Sequence, residues 1–236
     1  MITGIKLISA GLNYSLAVSN TGIITGFGDN AYGQIKNLFN VNKISAGYYH
    51  GLALLNNGKI TGFGNRDYNQ INIPANTSGI EIAAGRGHSL LLLNNKNITG
   101  FGDDSYGQIT IPNDIVNNAI KISAGFGHSL ALLEDGRVTG WGYNNSGQIN
   151  IPVEIGTNAT GISAGAYFSL ALLTDGRVTG WGYNSYGQIN IPVGISTNAT
   201  GISAGTYHSL ALLKNGAITG WGRNNYGQIN IPIGIG

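Results

Sequence analysis

An Ile-x-Ala-Gly unit opens at Ile8, Ile44, Ile82, Ile122, Ile162 and Ile202, in steps of 36, 38, 40, 40 and 40 residues. A fixed period of this length constrains the fold more than any local propensity does, because each unit must bury its apolar faces against its neighbours. Every unit continues with a Ser-Leu or Gly-Leu run, a Thr-Gly-aromatic-Gly and a Gln-Ile. The aromatic is Phe27, Phe63, Phe101, Trp141, Trp181 and Trp221, and the glutamine is Gln34, Gln70, Gln108, Gln148, Gln188 and Gln228. Six units fill the 236 residues, so one domain over 1–236 is expected.

Within a unit the pattern is short strands joined by sharp turns. In the fourth, strands are expected at Lys121–Ala124, Ser129–Leu133 and Arg137–Trp141, followed by an extended edge segment Gln148–Pro152. Proline lacks a ladder donor and suits an outer edge; it recurs as Pro74, Pro112, Pro192 and Pro232. Asp135-Gly136 predicts a two-residue type I′ hairpin. No 3.6-residue apolar stripe survives the glycines, so helices are not competitive. The period selects an all-β, six-bladed β-propeller of short antiparallel blades, one per unit. Leu130-Ala131-Leu132-Leu133 is apolar on both faces, as a strand packed between two neighbouring blades requires. Ser-Ala-Gly is small, as the crowded axis requires, and Trp141 between Gly140 and Gly142 is placed to fix blade against blade.

Composition narrows the function. Glycine contributes 39 residues without a Gly-X-Y period, which means turns and not collagen. Charged residues are 9% and the net charge is +2, so no strong field draws nucleic acid or an anionic membrane. The absence of cysteine excludes disulfides and thiolate chemistry. Residues 1–20 show no secretory signal and the longest apolar runs are too short to span a membrane, so the default expectation is a cytoplasmic protein.

Ile-Ser-Ala-Gly-x-x-His-Ser-Leu-Ala-Leu followed by Gly-Trp-Gly-x-Asn-x-x-Gly-Gln resembles the regulator of chromosome condensation (RCC) repeat, and all six units carry it. The compact units with Gln-Ile-Asn-Ile-Pro are most similar to β-lactamase inhibitory protein II, a propeller that binds its target on one end. The resemblance implies seven blades where six are counted here, so either the ring closes with six or a partner chain supplies an edge. The insertions by which nucleotide-exchange relatives engage a small GTPase have no counterpart. In the inhibitor, aromatic residues of matching turns contact the target, which implies Tyr48, Tyr49, Phe126, Tyr167 and Tyr207 as contacts here.

Antiparallel connectivity places the loops after the first and third strands on one end, the top. All 12 tyrosines fall in or beside these loops. Tyrosine gives large amphipathic area with few rotors, the property of interface anchors. Units 122–161 and 162–201 match at 32 of 40 positions, and five of the eight differences (126, 127, 128, 145 and 146) lie in top loops. Variable loops on a constant frame are the arrangement of a binding surface. The candidate partner-binding residues are Tyr48, Tyr49, Arg66, Arg86, Phe126, Tyr143, Tyr167, Tyr183, Tyr207 and Arg223.

His50, His88, His128 and His208 share one repeat position with Tyr14 and Phe168, which favours a local hydrogen bond at the strand start over a metal ring. His128-Ser129 and its equivalents point to opposite faces, the wrong geometry for a nucleophile and its base. Asp103-Asp104 lacks ligand spacing, and no phosphate-cradling loop occurs. The expectation is therefore a non-enzymatic protein-binding module with no cofactor and no metal, its partner another protein. The alternatives are a structural subunit of a larger assembly and a lectin-like carbohydrate binder; unequal turn residues (Tyr48-Tyr49, Arg86-Gly87, Phe126-Gly127) count against the latter.

Overall fold

In the computed structural model, which describes residues 4–195 and 197–232, each unit forms one three-stranded antiparallel sheet, giving a six-bladed propeller. Blade 1 comprises β1 (Ile5–Ala10), β2 (Tyr14–Ser19) and β3 (Ile24–Gly28), and blade 2 comprises β4 (Val41–Ala46), β5 (His50–Leu55) and β6 (Ile60–Gly64). Blade 3 has β7 (Glu81–Ala84), β8 (His88–Leu92) and β9 (Ile98–Gly102); blade 4 has β10 (Ala119–Ala124), β11 (His128–Leu133) and β12 (Val138–Gly142). Blade 5 has β13 (Ala159–Ala164), β14 (Phe168–Leu173) and β15 (Val178–Gly182); blade 6 has β16 (Ala199–Ala204), β17 (His208–Leu213) and β18 (Ile218–Gly222). The first strands gather at the axis, where Ala46, Ala84, Ala124, Ala164 and Ala204 line a cavity of about 1070 Å³.

Strand alternation builds the core between blades. Leu130, Leu132 and Val138 of blade 4 pack on Ala171, Leu173 and Trp181 of blade 5, whereas Ala131, Leu133 and Trp141 turn back onto Leu90, Leu92 and Ile98 of blade 3. The same two-sided pattern recurs at every junction from blade 1 to blade 6.

Polar bonds fix the register of these junctions. Trp141 Nε1 and Ser129 Oγ both donate to the Gln108 carbonyl of the preceding blade, at 2.9 and 2.8 Å. Trp181 and Ser169 treat Gln148 alike, and Trp221 and Ser209 treat Gln188 alike. The histidines do not bond locally as expected. His88 Nε2 lies 3.1 Å from Ser129 Oγ and His128 Nε2 lies 3.0 Å from Ser169 Oγ, in each case on the next blade. Each of these serines has given its only proton to a glutamine carbonyl, so the imidazole must be the donor through Nε2–H. His50 makes the equivalent contact with Ser89. In blade 1, Tyr14 reaches further and donates to the His50 carbonyl, where Gly51 replaces the serine.

Two further expectations are corrected. The segment after each third strand is not an extended edge. Its donors close turns: Asn150 N bonds Gly147 O, Ile149 N bonds Asn144 Oδ1, and Ile151 N bonds Ile149 O. Short 3-10 turns follow at Asn113–Ile115, Val153–Ile155 and Val193–Ile195, and plug Ile115, Ile155 and Ile195 between blades. The Asp-Gly hairpin is not type I′, because of its two residues only Gly136 has positive φ, at 82°. Gly136 N bonds Leu133 O and Leu133 N bonds Arg137 O, a three-residue loop with the glycine in the left-handed position. Asp135 keeps ordinary φ and accepts Arg137 N through its carboxylate.

Two tests follow from the junctions. Ser169→Ala removes the bond to Gln148 and orphans the buried His128 Nε2–H; a loss of about 1–3 kcal/mol is expected in urea titration. Unchanged stability would show that the relay does not hold the blades. Burial also pushes His50 and His128 down to about 3 and His88 to about 4, and their Nδ1 atoms have no partner to receive a proton's bond. Above pH 6.5 neither folded nor unfolded chain binds these protons; below it only the unfolded chain does. Stability therefore falls with pH, each histidine contributing up to about 1.4 kcal/mol per pH unit below about 6.5 until its folded value is reached. The melting temperature should drop between pH 6.5 and 4.5, and less steeply in His128→Phe, which copies the buried Phe168 of blade 5. Equal slopes would contradict the assignment.

Candidate binding face

The top end is built on backbone. Gly47, Gly85 and Gly125 end their first strands by bonding the carbonyls of His50, His88 and His128. The next amide crosses to the neighbouring blade: Tyr48 N bonds Gly85 O, Arg86 N bonds Gly125 O and Phe126 N bonds Ala166 O. A Cβ on Gly125 would sit 2.5 Å from the Gly165 carbonyl, so this close approach requires glycine. The loops before each glutamine are pinned from within. Gln148 Oε1 accepts Ser146 N, and the other five glutamines accept the equivalent amide in their own loops.

On this frame the aromatic side chains form one continuous network. Tyr32 meets Tyr49, Tyr49 meets Tyr48, and Tyr48 meets Phe126, with centroids 5.5, 6.4 and 5.8 Å apart. Phe126 lies 4.9 Å from Tyr167, which contacts Tyr143, Tyr183 and Tyr207. Tyr106 joins through Tyr143 at 4.7 Å, and Tyr186 joins through Tyr207 at 5.2 Å. Two guanidinium groups lie on the rings: Arg86 is 4.6 Å over Phe126, and Arg223 is 5.3 Å from both Tyr186 and Tyr226. Cations over aromatic faces are held by the ring quadrupole.

The expected contact residues thus converge, apart from Arg66, which is exposed in its loop and stacks on no ring among the described residues. They are half-buried among one another. The outermost rings are those just before Gly-Gln (Tyr32, Tyr106, Tyr186 and Tyr226), the last 85% exposed. Tyrosine recurs there so regularly along the chain that the position reads as packing, and only the outward turn fixed by the glutamine exposes it. Tyr48 sits deepest. Its hydroxyl is buried beside Thr206 without a well-formed bond, and burial pushes it up to about 12.

Polar groups near the face serve the loops. Asp103 accepts the Ser105 amide and hydroxyl, and Asp104 accepts Ile109 N and Thr110 Oγ1. Partial burial works to raise the Asp103 carboxyl, but hydrogen bonds from Ser105 and Gln108 outweigh it and lower the group below its ordinary value. Among the described residues no three potential metal ligands of the His, Cys, Asp or Glu type come together, and no helix is long and apolar enough to cross a membrane.

Known proteins match this architecture. Yeast RCC1 (Prp20), solved bound to Kap60, superposes with a TM-score of 0.77 at 19% identity over 93% of this chain and 70% of that one. A structure of Prp20p from Saccharomyces cerevisiae, described with its binding properties to Gsp1p and histones, gives 0.77 at 18% identity over 92% and 72%. Human WBSCR16 gives 0.82 at 18% identity over 98% and 79%. No curated protein sequence gives a significant match. The family model described as Regulator of chromosome condensation (RCC1) repeat matches residues 5–34, 41–70, 80–108, 119–148, 159–188 and 199–228, one match per blade, and the chain belongs to that family.

Proposed function

We propose that this propeller is a non-enzymatic protein-binding module whose contact surface is the aromatic top face. The observation that carries the reading is the unbroken ring network from Tyr32 to Tyr186, capped by Arg86 and Arg223, on turns bonded blade to blade. Rigid aromatic and arginine anchors lose little freedom on binding, which is why they dominate interface energetics. The similarity to Prp20, described with Kap60, Gsp1p and histones as its partners, supports a protein as the ligand class. The Asp103 and Asp104 carboxylates near the face are engaged in loop bonds, which supports binding over catalysis. A structural subunit of a larger assembly is the second reading, favoured by the exposed apolar residues Ile8 and Phe27 of blade 1 and Leu212 of blade 6.

The test compares wild type with a Tyr49→Ala, Tyr167→Ala, Tyr207→Ala, Arg86→Ala variant, both immobilised and exposed to extract of the source cells. Tyr48 is left intact because it is packed. A protein retained by wild type and lost by an equally stable variant is expected, since hot-spot residues cost about 2 kcal/mol or more each. Equal retention by both would remove the top face from consideration.

A further inference from the structure

The junction chemistry stops at blade 6. Successive first strands pack from β1 through β4, β7, β10 and β13 to β16, and among the described residues no comparable packing joins β16 to β1. Among the described residues no hydrogen bond joins blade 6 to blade 1. The axial cavity is lined by Ile8, Leu16 and Phe27 of blade 1 and by Ser203, His208 and Leu210 of blade 6.

Both walls are blade faces of the kind buried elsewhere. On blade 1, Ile8 is 82% exposed where Ile82 and Ile122 are 6%, and Phe27 is 49% exposed where Phe63 is 3%. On blade 6, Leu212 is 44% exposed where Leu132 is 0%. Among the described residues the polar valences are open as well. Ser9, Ser45, Ser123 and Ser163 each accept the alanine amide of the next blade, at Ala46, Ala84, Ala164 and Ala204. Ser203 has no such amide to accept, and the exposed Ala10 meets no serine. His208 lacks the serine that His50, His88 and His128 contact. Gln228 is half-buried and its carbonyl receives neither ring N–H nor hydroxyl, unlike Gln108, Gln148 and Gln188.

We propose that the wedge between blades 6 and 1 is a second docking site, and that its occupant is a single RCC-type blade from outside residues 1–236. The wedge continues the series of five existing junctions. A blade's incoming face offers an alanine amide, a serine and an indole, which are the groups that Ser203, His208 and Gln228 lack. Its outgoing face offers leucines and a serine acceptor, which Ile8, Phe27 and Ala10 lack. Ile8, Phe27 and Leu212, the apolar groups left open at the wedge, are not part of the aromatic network, so its occupation does not depend on that reading.

The chain has no cysteine, which makes single thiols clean reporters. Ile8→Cys and Leu212→Cys would be labelled with a maleimide, beside Ile122→Cys as a buried reference and Val193→Cys, at 93% exposure, as an open one. The probe is the unit 159–198 fused to a soluble carrier, and a chain with that unit duplicated in place tests the same fit intramolecularly. In the protein alone, the thiols at positions 8 and 212 should label as fast as the open reference. They should slow at least about tenfold, towards the buried reference, as the probe is added or the unit duplicated. Protection in the protein alone would overturn the proposal, by six-blade closure if independent of concentration and by self-association if not. Labelling unchanged in the duplicated chain, where the added unit has a neighbour to fold against, would overturn it too.

Discussion

The hydrogen-bond relay, complete where blade 3 meets blade 4 and blade 4 meets blade 5 and partial where blade 2 meets blade 3 and blade 5 meets blade 6, is the constraint on which the rest of the molecule depends. A histidine at the start of one middle strand donates to a serine at the start of the next, and that serine donates to the glutamine carbonyl that ends the earlier blade. The indole N–H of the later blade converges on the same carbonyl. Three groups separated by tens of residues in sequence are thereby held in one buried line. Leucine and alanine packing alone would tolerate sliding between sheets; directional bonds in a low-dielectric junction do not. The imidazole stays neutral because its second nitrogen has neither solvent nor partner.

The same relay explains how the top face can vary. Gln148 joins two systems. Its backbone carbonyl anchors the next blade, while its side chain pins the loop that carries Tyr143. Junction and loop are therefore fixed together, and the residues between the pins are free to change, as at positions 126, 127, 145 and 146. Where Asn65 or Asp103 stands two residues after the core aromatic, the glutamine amide finds a partner. Where Tyr143 or Tyr183 stands there, Gln148 Nε2 and Gln188 Nε2 remain unpaired. A polar bond has been exchanged for ring area on the surface.

Most of this fold is legible in the sequence because it is periodic. The repeat names the blades, the two-sided Leu-Ala-Leu-Leu run names the junctions, and glycine on either side of Trp141 marks the close approach of backbone. What escapes is what acts across the period. His128 and Ser169 are 41 residues apart, so the local reading pairs each histidine with its own strand. Ile149 and Ile151 look like strand residues until their donors are traced to the Asn144 side chain and the Ile149 carbonyl. Asp135-Gly136 has the composition of one turn and the geometry of another, because the aspartate gains more by accepting the Arg137 amide in ordinary φ. The top-face aromatics are legible as a group, from parity and loop position. Their division into packed inner rings and exposed outer ones is not, because it depends on how each glutamine turns its loop.

A binding face on a repeat scaffold is useful only if it is preorganised, since ordering loops on association would offset the contacts they make. Amide hydrogen exchange resolves this directly. The Tyr48, Arg86 and Phe126 amides are bonded to the neighbouring blade's turn, so they should exchange as slowly as the Leu130 and Leu170 amides of the middle strands. Exchange as fast as at the exposed hairpin residues Asp135 and Asp175 would show a mobile rim, and the account of a rigid aromatic face would fail.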